Sequence, residues 1–101
     1  MSENSTIQTL SDSDPISDPI EILPGHDGFF SVLRFNAAIT ATIRYHFAAT
    51  KNGLYVVDPS LDDDVLTQGP HAADIYTNAK WVRVEVVTAS PFTADLQVAR
   101  G

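Results

Sequence analysis

Ile39-Thr40-Ala41-Thr42-Ile43-Arg44-Tyr45-His46-Phe47 is the stretch that decides the fold class. Ile39, Ala41, Ile43, Tyr45 and Phe47 alternate with Thr40, Thr42, Arg44 and His46. A period of two puts one set on a covered face and the other on a wetter face, as in a half-buried β-strand. Just upstream, Phe29-Phe30-Ser31-Val32-Leu33-Arg34-Phe35 is aromatic and β-branched enough for another strand, with Asn36-Ala37-Ala38 as the link. Downstream, Lys51-Asn52-Gly53-Leu54 contains Asn-Gly, which suits a two-residue type I′ turn because both central residues need positive φ. That turn pairs the strand ending near Thr50 with Leu54-Tyr55-Val56-Val57, with Ala49 facing Val56 and Thr50 facing Tyr55.

The same period returns at the C-terminal end. Val82, Val84 and Val86 alternate with Trp81, Arg83 and Glu85, and Ala94, Leu96 and Val98 alternate with Thr93, Asp95 and Gln97. Read as a hairpin, two registers keep the apolar faces together. One sets Glu85 against Asp95, a like-charge pair that costs stability. The other sets Arg83 against Asp95 and Val86 against Phe92, around a Thr88-Ala89-Ser90 loop, and is the one expected. Residues 58–80 read as mostly loop, with short strands at Val65-Leu66-Thr67 and Ala73 to Thr77. No amphipathic helix is visible, and about six to eight short strands predict an all-β fold, a small antiparallel β-sandwich or barrel.

Charge divides the chain in two. The net charge is -7, from thirteen acids against six bases, and residues 1–27 hold Glu3, Asp12, Asp14, Asp18, Glu21 and Asp27 with no Lys or Arg. Pro15, Pro19 and Pro24 break any helix there, and Pro24-Gly25-His26-Asp27-Gly28 marks a turn. The expected organisation is an extended acidic N-terminal arm, 1–24, followed by a β-sandwich body, 25–101. Ser13-Asp14-Pro15-Ile16 is echoed by Ser17-Asp18-Pro19-Ile20, too short for a repeat architecture. Ile7, Leu10, Ile16, Ile20 and Ile22 stand as apolar studs along the arm. Composition alone also fits a disordered tail with incidental isoleucines.

This balance argues against nucleic acid and against an anionic membrane surface, both of which recruit clustered Lys and Arg. No 18-residue apolar run exists to span a bilayer as a helix, and the first residues lack the pattern of a secretory signal. With no cysteine, disulfides and thiolate chemistry are excluded. A body of about 75 residues buries only roughly 60–65% of its unfolded surface, so a homo-oligomer or docking on a partner is expected.

Chemistry is sparse. Asp58, Asp62, Asp63 and Asp64 form the one dense carboxylate cluster, without the glycine or closing Glu of an EF-hand loop. A solvated surface is the simpler reading, with calcium as the alternative. His26, His46 and His71 have no chelating spacing, and His46 is expected at the surface. No nucleophile elbow or phosphate-cradling glycine loop occurs, so no enzyme, no metal and no cofactor is expected. Trp81 falls on the face opposite Val82, Val84 and Val86, as an exposed anchor for a partner or sugar or as a covered residue.

Ile75-Tyr76-Thr77-Asn78-Ala79-Lys80-Trp81-Val82-Arg83-Val84-Glu85-Val86-Val87, followed by a short turn and Phe92 to Arg100, resembles the closing hairpin of small β-sandwich structural proteins of tailed-bacteriophage particles. The resemblance is a style of sequence across residues 28–100, and transfers no individual residue. It implies a virion structural protein of the capsid decoration or cement type that docks on the capsid shell through its N-terminal arm and β-body, assembled in the host cytoplasm, with the major capsid protein or another virion protein as partner. The expected partner-binding residues are Ile7, Leu10, Ile16, Ile20, Ile22 and Trp81. Two other functions stay open: a carbohydrate- or receptor-binding module of a phage tail or fibre, centred on Trp81, and a calcium-dependent adhesive β-domain.

Overall fold

The computed structural model describes residues 5–22 and 28–99. Along the chain come β1 (Ser5–Ser11), β2 (Ile20–Glu21), β3 (Gly28–Ala48), β4 (Val56–Val57), a 3-10 turn (Pro59–Leu61), β5 (Asp63–Tyr76), β6 (Trp81–Val87) and β7 (Thr93–Ala99). All pairing is antiparallel. The small all-β sandwich expected from the alternation is the fold.

The 21-residue β3 belongs to both layers. Its first half pairs with β7, Phe30 to Ala99 through Phe35 to Ala94, and its second half with β6, Thr42 to Val87 through Ala48 to Trp81. On its other side it pairs with β5 from Gly28–Tyr76 to Ile43–Asp63. β1 closes the far edge of β7 and β2 the far edge of β6, giving the order β1-β7-β3-β6-β2. We call the β1-β7-β3 half sheet I and the β2-β6-β3 half sheet II.

Between them lies the core. Leu33, Phe35, Ile39, Ile43 and Tyr45 of β3 meet Val82, Val84 and Val86 of β6, and Ala94, Leu96 and Val98 of β7. Burying each large aliphatic side chain contributes roughly 1.5–3 kcal/mol. Phe29 packs edge-on against Tyr45 at 5.9 Å, and Phe35 against Phe92 at 6.4 Å. The buried hydroxyls of Ser31 and Tyr45 lie 3.4 Å apart and satisfy each other. At the start of β3, a Cβ on Gly28 would collide with the backbone oxygen of Ile75, so the approach of β5 requires glycine there.

Several expectations need correction. The two strands expected over 29–35 and 39–47 are one strand, and Asn36-Ala37-Ala38 is a register shift within it, between Phe35 and Ile39. Two extra residues on β3 keep its odd-numbered side chains inward on both sides of the irregularity. The stretch read as loop holds the 14-residue β5, Gly69-Pro70 included. Pro70 is tolerated because β5 pairs with β3 alone, so the missing N–H removes no second ladder. The turn forms one residue earlier than expected, around Lys51-Asn52, with the Gly53 N–H donating to the Thr50 carbonyl, and the register differs by two: Val56 faces Phe47, not Ala49, and Val57 faces His46.

The C-terminal hairpin does not form. β6 and β7 each pair with β3 and not with one another, so Arg83 is not opposite Asp95, nor Val86 opposite Phe92. Alternation alone fixes which face is covered and leaves the neighbour open. Asp95 pairs instead with Arg34, at 3.0 Å.

The N-terminal segment is built into the sandwich. Leu10, Ile20 and Ile22 are buried core residues. Ser11 and Asp14 exchange backbone bonds in a tight turn, and the chain then follows the edge of β6, with the Val86 N–H bonded to the Pro15 carbonyl and the Ile22 N–H to the Lys80 carbonyl. The expected division between residues 24 and 25 falls on residues 23–27, which lie outside the described residues.

Candidate functional site

The outer faces of the two sheets differ in chemistry. On sheet II the polar side chains pair with one another, although among the described residues Asp62 Oδ1 is buried without a partner. Arg44 bonds Asp62 at 3.1 Å, and His46 Nε2 lies 2.8 Å from Glu85 Oε1. Arg83 donates to the Ser17 carbonyl at 2.8 Å, its guanidinium 5.9 Å from the centre of the Tyr55 ring. The bond to Asp62, followed by its charge, holds the Arg44 guanidinium above its ordinary value. His46, expected at the surface, is half-buried in this network.

Sheet I turns apolar groups outward. Directly paired residues share a face, and the register aligns Ile7 with Gln97, Gln97 with Val32, and Val32 with Ala72. One row along, Phe30 stands beside Ala99 and Asp74, and Tyr76 beside Gly28. Ile7 is 73% exposed, Phe30 41% and Tyr76 80%. At the other end, Asp95 accepts bonds from Arg34 at 3.0 Å and Thr9 at 3.2 Å. The Arg34 bond first, then that of Thr9, lowers the Asp95 carboxyl below its usual range. Ile7, Val32, Arg34, Asp95, Leu96 and Gln97 line a shallow groove of about 440 Å³ on this side.

Of the residues expected to contact a partner, only Ile7 is strongly exposed. Leu10, Ile20 and Ile22 are in the core and unavailable to a partner, because the strands that carry them complete the edges of β7 and β6. Ile16 is half-buried opposite Glu85, and Trp81 is half-buried between Glu21 and Ala48 in register. Sequence reasoning missed Phe30, Val32 and Tyr76 as a surface. Their signal was present: Phe30 and Val32 are the apolar even-numbered positions of a strand whose odd positions form the core.

Within the carboxylate cluster, Asp58 accepts the Ser60 N–H and hydroxyl at 3.1 and 2.6 Å, which starts the 3-10 turn, and Asp62 pairs with Arg44. The side chains of Asp63 and Asp64 lie outside the described residues, as does His26. Among the described residues, no three His, Asp or Glu side chains gather to hold a metal. A second groove, of about 400 Å³, runs between the β3–β4 hairpin and the β5–β6 connection, walled by Phe47, Leu54, Val56 and Lys80.

Fold and surface together define a small antiparallel sandwich whose outer faces differ, one crossed by the Arg44–Asp62 and His46–Glu85 pairs and the other carrying exposed Ile7, Phe30 and Tyr76. No protein-family model matches the chain, and no curated protein sequence matches it. Among solved structures, it is similar to the SPBc2 prophage-derived protein YomS, with a TM-score of 0.45 and 14% identity over 98% of this chain and 96% of that one.

Proposed function

We propose that this chain is a virion structural protein of the capsid decoration or cement type, docking on the major capsid protein through the outer face of sheet I. The observation that carries a docking role is the placement of Ile7, Phe30, Val32 and Tyr76, from three strands, on one face. Exposed apolar side chains gathered on one face, here interspersed with Gln97 and Asp74, favour a docking role. The particle assignment draws on the resemblance of residues 28–100 to phage β-sandwich proteins.

In this reading the acidic segment serves the body by completing both sheets, and the contact with the shell is made by a rigid sheet face. A rigid face loses little conformational freedom on docking. Repeated copies on a regular lattice then add avidity to a modest single contact. The test is co-purification with the capsid protein at a fixed ratio, followed by Ile7→Asp combined with Tyr76→Asp. Both positions are exposed, so the circular dichroism spectrum and the melting temperature should hold while occupancy on the particle falls about tenfold or more, a loss of about 1.4 kcal/mol per site. Unchanged occupancy would sink the docking face.

A further inference from the structure

The segment 5–22 has an unusual place in the topology. Its two strands, β1 and β2, occupy the two ends of the sheet order, and among the described residues no strand lies outside either. None of the pairings among β3 to β7 uses the segment. It is also internally organised: Ser11 and Asp14 exchange both backbone bonds, and the Asp18 N–H donates to Gln8 Oε1 at 2.9 Å. Among the described residues, no ion pair ties it to the body.

Its seat is nevertheless specific. Leu10 enters the core from the β7 edge, and Ile20 and Ile22 enter from the β6 edge. Ser17 is fully buried; its N–H donates to the Val84 carbonyl and its hydroxyl accepts the Val84 N–H. A seat shaped by so many contacts admits few sequences, and one sequence that fits is always at hand in another copy of the same chain. An identical element docked from a neighbour makes the same contacts, so only the connection and the concentration decide between self and neighbour. That connection, Leu23-Pro24-Gly25-His26-Asp27, is five residues carrying a Pro-Gly turn signal.

We infer that residues 5–22 are an exchangeable element, and that a second copy of this chain seats its own residues 5–22 in the cleft along β6 and β7. The link is between copies of this chain and does not depend on the docking face proposed above.

Because the chain lacks cysteine, paired cysteines report it directly. Thr9 and Asp95 are exposed cross-strand partners with side-chain oxygens 3.2 Å apart, within reach of a disulfide once both are cysteine. The full-length Thr9→Cys and Asp95→Cys variants are purified separately, mixed at high concentration and oxidised. The expected result is a disulfide joining the two chains, increasing with concentration and time of mixing, and well above that formed between Thr9→Cys and Ser60→Cys chains. The double variant Thr9→Cys/Asp95→Cys, dilute, should close within a single chain. If the double variant closes but the mixed single variants link no better than the Ser60 control, exchange is overturned. Failure of the double variant to close also overturns it, because β1 is then not seated on β7. Loss of capsid docking in the Ile7→Asp/Tyr76→Asp variant moves neither readout.

Discussion

Ser17 does the work of a residue pair. At this point, between Pro15 and Pro19, the chain leaves regular pairing, and the serine hydroxyl accepts the Val84 N–H while donating its own O–H to the Asp18 carbonyl. Ser17→Ala should therefore strand a buried N–H and cost about 1–3 kcal/mol, read as a lower urea midpoint with an unchanged slope. Leu10 and Ile7 provide a second contrast, three positions apart on one strand. Leu10→Ala should cost about 2–5 kcal/mol, and Ile7→Ala no more than about 0.5 kcal/mol. Asp95 gives a pH signature. Its folded pKa is depressed, so its contribution is present above the unfolded value of about 4 and is lost as pH falls through the folded value. Asp95→Asn should lower stability slightly at neutral pH, the pair being exposed, and the gap to the parent should close below about pH 4. A gap that widens in acid would contradict the Arg34 bond.

At the level of elements, the alternation at 39–47 was legible because burial there follows the pleat without exception as far as Tyr45. β1 was not, for a physical reason: Ile7 points outward and Gln8 is turned partly inward, which inverts the apolar pattern that announces a strand. Leu10, Ile20 and Ile22 were visible as apolar residues, yet which strand they meet is set by partners far away in sequence, Ala94, Val82 and Lys80. β5 was obscured by Gly69-Pro70, a turn signal that an edge strand tolerates. The candidate face suffered similarly, since outward Phe30 and Val32 look like further core in a continuous apolar run. Removal of residues 1–22 should thus unfold the body or send it into aggregates through two newly bare edges. A truncated chain with the parent melting temperature would show that the segment is dispensable. Gly28→Ala should also destabilise, since its Cβ meets backbone that must shift.

For the whole molecule, a net charge of -7 opposes close approach of copies. Apolar contact and strand exchange both work against that repulsion. Raising salt from about 0.01 to about 0.15 M shortens the screening length from roughly 30 to 8 Å, so self-association measured by sedimentation velocity should strengthen. Weakening with salt would mean that ion pairs hold the copies together. The radius of gyration, 12.9 Å, is close to the value of about 13 Å for a folded domain of this length, which agrees with a segment packed on the body.

The seat of β1 against β7 has a temporal side. A ribosome makes β1 long before β7, and these two strands pair across more than 80 positions. Until β7 emerges, β1 has no edge to join on that side, and β3 lacks one of its main neighbours. Closure of this edge must then wait for β7, a slow, long-range step. On a crowded message, where several nascent chains wait side by side, that delay is the interval in which one newborn chain can accept the first strand of another.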